Sequence, residues 1–357
     1  MTDRMHDGQD LPPQDVGGGG NDGGPRRVPT PASAGGMGDS VTPHALFTNN
    51  GDFRFLICGI DTLDLGLYVN WGVKLANFQP QLEYLREKAL KGETAIWRHY
   101  LAREAVVRPS GKRNYRYHLQ FPDLNLWIAN VDEPNGFPNV YASPTAKALW
   151  TQGPASVVES IARLVWDLGG DVMETQVSRC DLAADFYMEQ APTLEFLRSH
   201  LVSRSRAVRP WEDRGLLETF YVGKKGAPIQ ARIYDKLLLV MRKPETVFFA
   251  ALWGGLIPAW RVEFQLKRST LKDFKIESFD DLQAKAGGLW TYLTSKWMSL
   301  RLPGESNTSR RPVHPWWEAV QDLAEFFGPS CELSRDLTDR GGPQISDSRL
   351  RWTGPVI

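Results

Sequence analysis

The feature that most constrains this chain is a two-residue alternation of polar and apolar side chains that recurs in three separate segments. In residues 178–186, Arg179, Asp181, Ala183 and Asp185 fall on one face of an extended strand, and Leu182, Ala184 and Phe186 fall on the other. In residues 260–267, Arg261, Glu263, Gln265 and Lys267 alternate with Val262, Phe264 and Leu266. In residues 231–236, Arg232, Tyr234 and Lys236 share a face. A period of 3.6 would scatter these charges around a helix, so a period of two commits the segments to strands with one wet and one dry side.

The same reading places further strands at 53–59, 65–71, 112–119, 124–130, 138–142, 176–187, 217–222, 229–240 and 259–268. Phe121-Pro122-Asp123 is a turn signal between two of them. Helices are expected over 74–91, 144–150, 154–168, 192–202, 245–252 and 278–300, with a short aromatic helix at 316–327. Gly169-Gly170 stops the third, and Gly287-Gly288 is a weak point in the long one. No internal repeat of fixed period occurs, and strands and helices do not alternate as βαβ units. The expected fold is therefore α+β, with a mainly antiparallel sheet packed by helices.

Residues 1–45 are rich in Gly, Pro, Asp and Ser and are expected to form a disordered tail, because they cannot bury enough apolar surface to offset backbone entropy. The ordered part is expected over 50–275, divisible into similar sub-domains at about 50–170 and 171–275. A helical segment at 276–330 and a loose tail at 331–357 follow. No run of about 18 apolar residues is present, which argues against a membrane span, and the N-terminus lacks an apolar leader. Cys58, Cys180 and Cys331 are widely spaced and odd in number. They form neither a disulfide framework nor a zinc spacing, so a reducing cytoplasm is the expected location.

Lys plus Arg equals Asp plus Glu at 42 each, a balance that runs against nucleic-acid binding when taken over the whole chain. Its distribution is uneven. The first 45 residues hold six acids against three bases, whereas residues 204–243 hold ten bases against four acids. A local basic patch suffices to bind phosphates, because charges beyond a Debye length of about 8–10 Å contribute little. A solvated loop face would show the same excess.

If the three alternating strands align their polar faces, they gather two Asp, one Glu, one Tyr and several cations. Clustered carboxylates repel one another unless a cation intervenes, and such oxygen ligands suit Mg²⁺ or Mn²⁺ rather than zinc. A tyrosine with an ordinary pKa of about 10 is a poor nucleophile at neutral pH; nearby Arg or Lys and a polarised phosphate would favour its phenolate. Periodicity leaves a second reading open, in which the same charges are cross-strand ion pairs on the wet side of any sheet.

Four short patterns in fixed order bear on that choice: Arg179-x-Asp181-Leu182-Ala183-x-Asp185-Phe186, Thr219-x-Tyr221-x-Gly223, Arg232-Ile233-Tyr234-Asp235-Lys236 and Arg261-Val262-Glu263-x-Gln265-Leu266-Lys267. Together they resemble the replication initiation factor family, the rolling-circle initiators of small plasmids and filamentous-type phages, over roughly residues 50–325. The resemblance implies that residues 50–275 nick DNA. Tyr234 would attack one strand at the origin to leave a 5′-phosphotyrosine and a free 3′-OH. Asp181, Glu263 and Asp185 would hold the metal. Arg232 and Lys236 would contact the scissile phosphate. Arg179, Arg261, Lys224 and Lys225 are candidate DNA contacts. The partners implied are an origin in single-stranded or hairpin form, a second copy of the chain and a host helicase.

Other chemistries fit less well. The six histidines include no His-x-His pair, so the metal site of other nicking enzymes is missing. A tyrosine recombinase places its nucleophile in a helical domain, whereas Tyr234 lies in a strand-like run. Gly17 to Gly20 lacks the Gly-Lys-Ser/Thr ending of a phosphate loop. Trp316-Trp317 reads as core packing before base stacking. The alternative from another class is a non-catalytic protein that binds an origin-like hairpin.

Overall fold

A computed structural model describes residues 52–98, 103–304, 306–329 and 331–336. The expected N-terminal tail at 1–45 and the end of the chain from 337 lie outside the described residues. In chain order the elements are β1 (Phe53–Asn70), α1 (Leu75–Leu90), β2 (Ile96–Trp97), β3 (Ala105–Arg108), β4 (Tyr117–Gln120), β5 (Leu124–Ile128), β6 (Val140–Pro144), α2 (Ala146–Gln152) and α3 (Pro154–Asp167). Then come β7 (Asp171–Met188), α4 (Leu194–His200), β8 (Leu201–Ser203), β9 (Val208–Asp213), β10 (Leu216–Val222), β11 (Ile229–Asp235), α5 (Lys236–Arg242), α6 (Phe248–Trp253) and β12 (Ala259–Lys267). The chain continues through α7 (Arg268–Asp273), α8 (Phe279–Thr291), β13 (Met298–Leu300), α9 (Pro315–Asp322) and α10 (Ala324–Phe327).

Eleven strands form one antiparallel sheet in the order β2-β3-β4-β5-β6-β1-β7-β12-β11-β10-β9, so the fold is α+β as the alternation predicted. The two 18-residue strands β1 and β7 pair at its centre. Each half repeats one order of events: a long central strand, a helix, a set of outer strands, and a return strand (β6 or β12) beside the starting strand.

The apolar side of the sheet makes the main core, with α1, α3, α8 and α9 contributing Leu82, Ile161, Leu289 and Trp317 against Leu63, Leu182, Phe264 and Ile233. The opposite side is polar but partly roofed. Trp150 of α2, Val240 of α5 and Phe249 and Trp253 of α6 pack over Ile57, Ala183 and Ala259 in a second, smaller core. Trp316 and Trp317 are buried, as their amphipathic spacing implied.

Several expectations are corrected. The strand expected at 112–119 forms only from Tyr117, as β4. The strands expected at 53–59 and 65–71 are one continuous β1, which absorbs the intervening polar residues through register shifts against β7, one of them between Ile60 and Thr62. The strand expected at 229–240 ends at Asp235, whose carboxylate accepts the Leu238 amide at 2.8 Å and caps α5; an Asp ahead of a run of helix formers is an N-cap signal that outweighed the strand pattern. The helix expected over 278–300 stops its regular turn at Thr291 and passes through a π-helical segment, Tyr292–Trp297, into β13. The carbonyl of Thr294 in that segment accepts from Trp317 Nε1 at 2.7 Å and Gln321 Nε2 at 2.8 Å, which satisfies a group the looser turn frees. Gly287 and Gly288 are points of close packing rather than weakness: a Cβ at either would lie 2.3 Å from the carbonyl oxygen of Gly328 or Cys331.

Candidate active site on the roofed side of the sheet

Registered pairing brings the three alternating segments together. Across β7, β12 and β11, Asp185 pairs with Arg261 and Arg261 with Tyr234; Ala183 pairs with Glu263 and Glu263 with Arg232; Asp181 pairs with Gln265 and Gln265 with Gln230. Side chains in registered rows on one face lie within roughly 5 Å of their neighbours, so the polar residues form a compact block.

Its centre is Tyr234, only 7% exposed. The phenol donates to Glu263 Oε2 at 2.9 Å. Arg232 Nε donates to Glu263 Oε1 at 3.0 Å, and its Nη2 reaches the same oxygen. That guanidinium lies 5.5 Å from the Tyr234 ring centre and 3.7 Å from Asp181 Oδ2. Arg179 holds Asp181 from the other side with Nε on Oδ1 at 2.9 Å and Nη2 on Oδ2 at 2.5 Å. Lys236 sits on α5 rather than on the strand, so it does not share a strand face with Arg232 and Tyr234. The first turn of the helix nevertheless places its Nζ 5.8 Å from the Tyr234 ring centre.

A second block lies under the helical roof. Arg261 is fully buried and gives Nε to Asp185 Oδ1 at 2.5 Å and Nη2 to Oδ2 at 2.8 Å, while Nη1 reaches Asp61. Trp253 Nε1 donates to Asp185 Oδ2 and Trp150 Nε1 to Asp61 Oδ1, both at 2.9 Å. Lys236 Nζ is 4.0 Å from Asp61.

Electrostatics follow from this crowding. Burial, and then the neighbouring Glu263 carboxylate, push the Tyr234 phenol well above its usual range. Burial raises Asp181 to about 7, with Glu263 adding to the shift and Arg179 and Arg232 opposing it. Lys236 is pushed down to about 8 by burial and then by Arg261. Burial works against an ionised Asp61, but Arg261 and Lys236 outweigh it and hold the carboxyl below its ordinary value. Asp61 was not singled out from the sequence. It is the residue left over at the register shift between Ile60 and Thr62, and no regular alternation points to it.

The expected metal set divides. Asp181 and Glu263 face one another about Arg232, whose guanidinium occupies the position a cation between them would take. Asp185, expected as a third ligand, spends both oxygens on Arg261 and Trp253. Among the described residues no group of three His, Cys, Asp or Glu is arranged to hold a metal. Arg261, expected at the DNA surface, is instead a buried structural cation, because two carboxylates and the helical roof enclose it. Lys224 and Lys225 are exposed at the turn between β10 and β11. Cys180 points into the apolar core.

No family model matches this sequence, and no curated protein matches it. Among solved structures, a rolling circle replication initiator protein from Geobacillus stearothermophilus superposes with a TM-score of 0.46 at 16% identity, over 80% of this chain and 100% of that one. No described helix is long and apolar enough to cross a membrane.

Proposed function

We propose that this chain initiates rolling-circle replication by nicking one strand of an origin through Tyr234. The observation that carries the reading is the Tyr234–Glu263–Arg232 arrangement: a phenol donating at 2.9 Å to a carboxylate whose other oxygen is held by a guanidinium. A positioned nucleophile, a base within hydrogen-bond reach and a group that orients the base form the signature of nucleophilic catalysis.

In the proposed step Glu263 takes the phenol proton as the tyrosine oxygen bonds to phosphorus. The P–O3′ bond breaks, and a 5′-phosphotyrosine forms. The departing 3′ oxygen receives a proton from Lys236, whose pKa of about 8 places that proton near its point of release at neutral pH. Arg232 meets the charge that develops on the phosphoryl oxygens. Asp181 and Glu263 are the proposed holders of Mg²⁺ or Mn²⁺, in exchange for Arg232, and such an ion would polarise the phosphate. The origin DNA, the second copy and a host helicase are the proposed partners.

One observation favours the non-catalytic alternative: Tyr234 is buried, and its phenol is held well above the usual range, so attack requires DNA to displace part of the cover. The test is incubation of the protein with Mg²⁺ and supercoiled DNA carrying its own origin, followed by denaturing analysis for a nicked product covalently bound to protein. A nick from the wild type and none from Tyr234→Phe supports the reading. Nicking by Tyr234→Phe overturns the assignment, and origin binding without nicking under any metal establishes the binding-module alternative.

A further inference from the structure

Strand β9 ends the sheet on the side of the Tyr234 block. Trp211 on it pairs in register with Thr219, and Thr219 pairs with Tyr234, so the three stand in one row across β9, β10 and β11. Neighbouring strands lie about 4.8 Å apart, which sets the Trp211 and Tyr234 backbones roughly 10 Å from each other. Phe220 and Val222 of β10 point into the main core, so alternation sends Thr219 and Tyr221 to the Tyr234 side.

Trp211 is 63% exposed, and among the described residues nothing stacks on or hydrogen-bonds to its indole. In that row the residue between it and Tyr234 is Thr219, whose side chain is small. The next row is Arg209, Tyr221 and Arg232, and there the Arg209 guanidinium lies 4.7 Å from the Tyr221 ring centre. The acids at this edge, Asp213 and Glu218, are both paired with Arg242, at 3.8 and 2.6 Å. Glu212 alternates to the opposite face from Trp211.

We infer that Trp211 stacks on an unpaired nucleobase beside the phosphate presented to Tyr234, while Arg209 contacts the adjoining backbone phosphate. The ligand class is single-stranded DNA, because a duplex keeps its base faces covered and a bare indole beside a cation suits an unstacked base followed by a phosphate. The inference rests on the reading of Tyr234 as the nucleophile for its orientation along the row, but its test does not depend on cleavage.

The test is fluorescence anisotropy of the full-length chain, without added metal, against a labelled mixed-sequence single strand and the matching duplex at one fixed salt concentration. Trp211→Ala is expected to weaken single-strand binding by about 10-fold, Trp211→Phe by no more than about threefold, and duplex binding is expected to change less than about twofold. Unchanged thermal melting of Trp211→Ala controls for folding. Equal losses on single strand and duplex, or no loss on either, overturn the inference. So does conversion of a dimer to a monomer in sedimentation with single-strand affinity intact, since the exposed edge would then belong to a second copy. Failure of Tyr234 to nick while Trp211→Ala still loses single-strand affinity removes the nicking reading and leaves the stacking site standing.

Discussion

Two tyrosines on the polar side of the sheet, one in each half, donate to a carboxylate at the same distance. Tyr234 reaches Glu263 at 2.9 Å, and Tyr141 reaches Asp64 at 2.9 Å. Their surroundings differ. Tyr234 is closed in by Arg232 and Lys236, with Arg261 paired across from it. Tyr141 is half-buried, and its carboxylate is shared with Ser143 at 2.6 Å. Lys112 lies over the Tyr141 and Trp127 rings at 3.9 and 3.7 Å, Trp127 in turn stacks on His118, and the other cation acting on the phenol, Arg179, is spent on Asp181. Both tyrosines have a carboxylate acceptor, and the proposed function gives the nucleophile's role to Tyr234 alone. On that proposal, what separates the two is the set of guanidinium and ammonium groups placed to meet the charge of an attacked phosphate.

The widest expected gap between the halves is in catalysis. Tyr234→Phe should lower the rate of covalent DNA attachment by roughly 10⁴-fold or more, as loss of a nucleophile does, whereas Tyr141→Phe should leave it within about twofold. Gel analysis of trapped adducts reads both, and an equal loss from Tyr141→Phe would break the comparison. Next comes stability. Arg261→Ala strands the buried Asp185 and the partly buried Asp61, and should cost about 3–5 kcal/mol in urea unfolding. Lys112→Ala, which removes an exposed cation over two rings, should cost under about 1 kcal/mol. Third, Arg232→Ala should slow nicking by about 10²–10³-fold, the loss typical of one positioned charge-stabilising donor. Arg232→Lys should recover only part, because an ammonium cannot reproduce the fork on Glu263.

A fourth expected effect is on pH dependence. Asp181 titrates at about 7 in the folded state, above an unfolded value of roughly 3.9. The folded chain therefore keeps a proton that the unfolded chain has lost, and rising pH removes stability between about pH 4 and 7. Asp181→Asn should flatten that part of the melting-temperature profile, and an unchanged slope would assign it elsewhere.

Legibility in the sequence tracks regular geometry. On β7 and β12 the alternation runs unbroken, and Asp181, Asp185, Arg261 and Glu263 all land on the expected face. On β1 a shifted register turns both Asp61 and Asp64, three residues apart, toward the polar side, where they meet Arg261 and Tyr141. A period of two forbids that pairing, so neither residue could be found by counting. The position of Lys236 failed for a similar local reason, since Asp235 capped a helix where the apolar run read as strand.

By itself, then, the sequence determined the α+β class, the three polar strand faces, and the residue types able to assemble on them, because side-chain alternation is a property of the backbone. Which cation each carboxylate would hold was decided only by tertiary structure. The roof of α2, α5 and α6 buries Arg261 with Asp185, beside the partly buried Asp61, and cross-strand register hands Glu263 to Arg232 and Tyr234. Coulomb energy in a low-dielectric interior depends on separations of a few ångströms, and those separations exist only once distant strands have met.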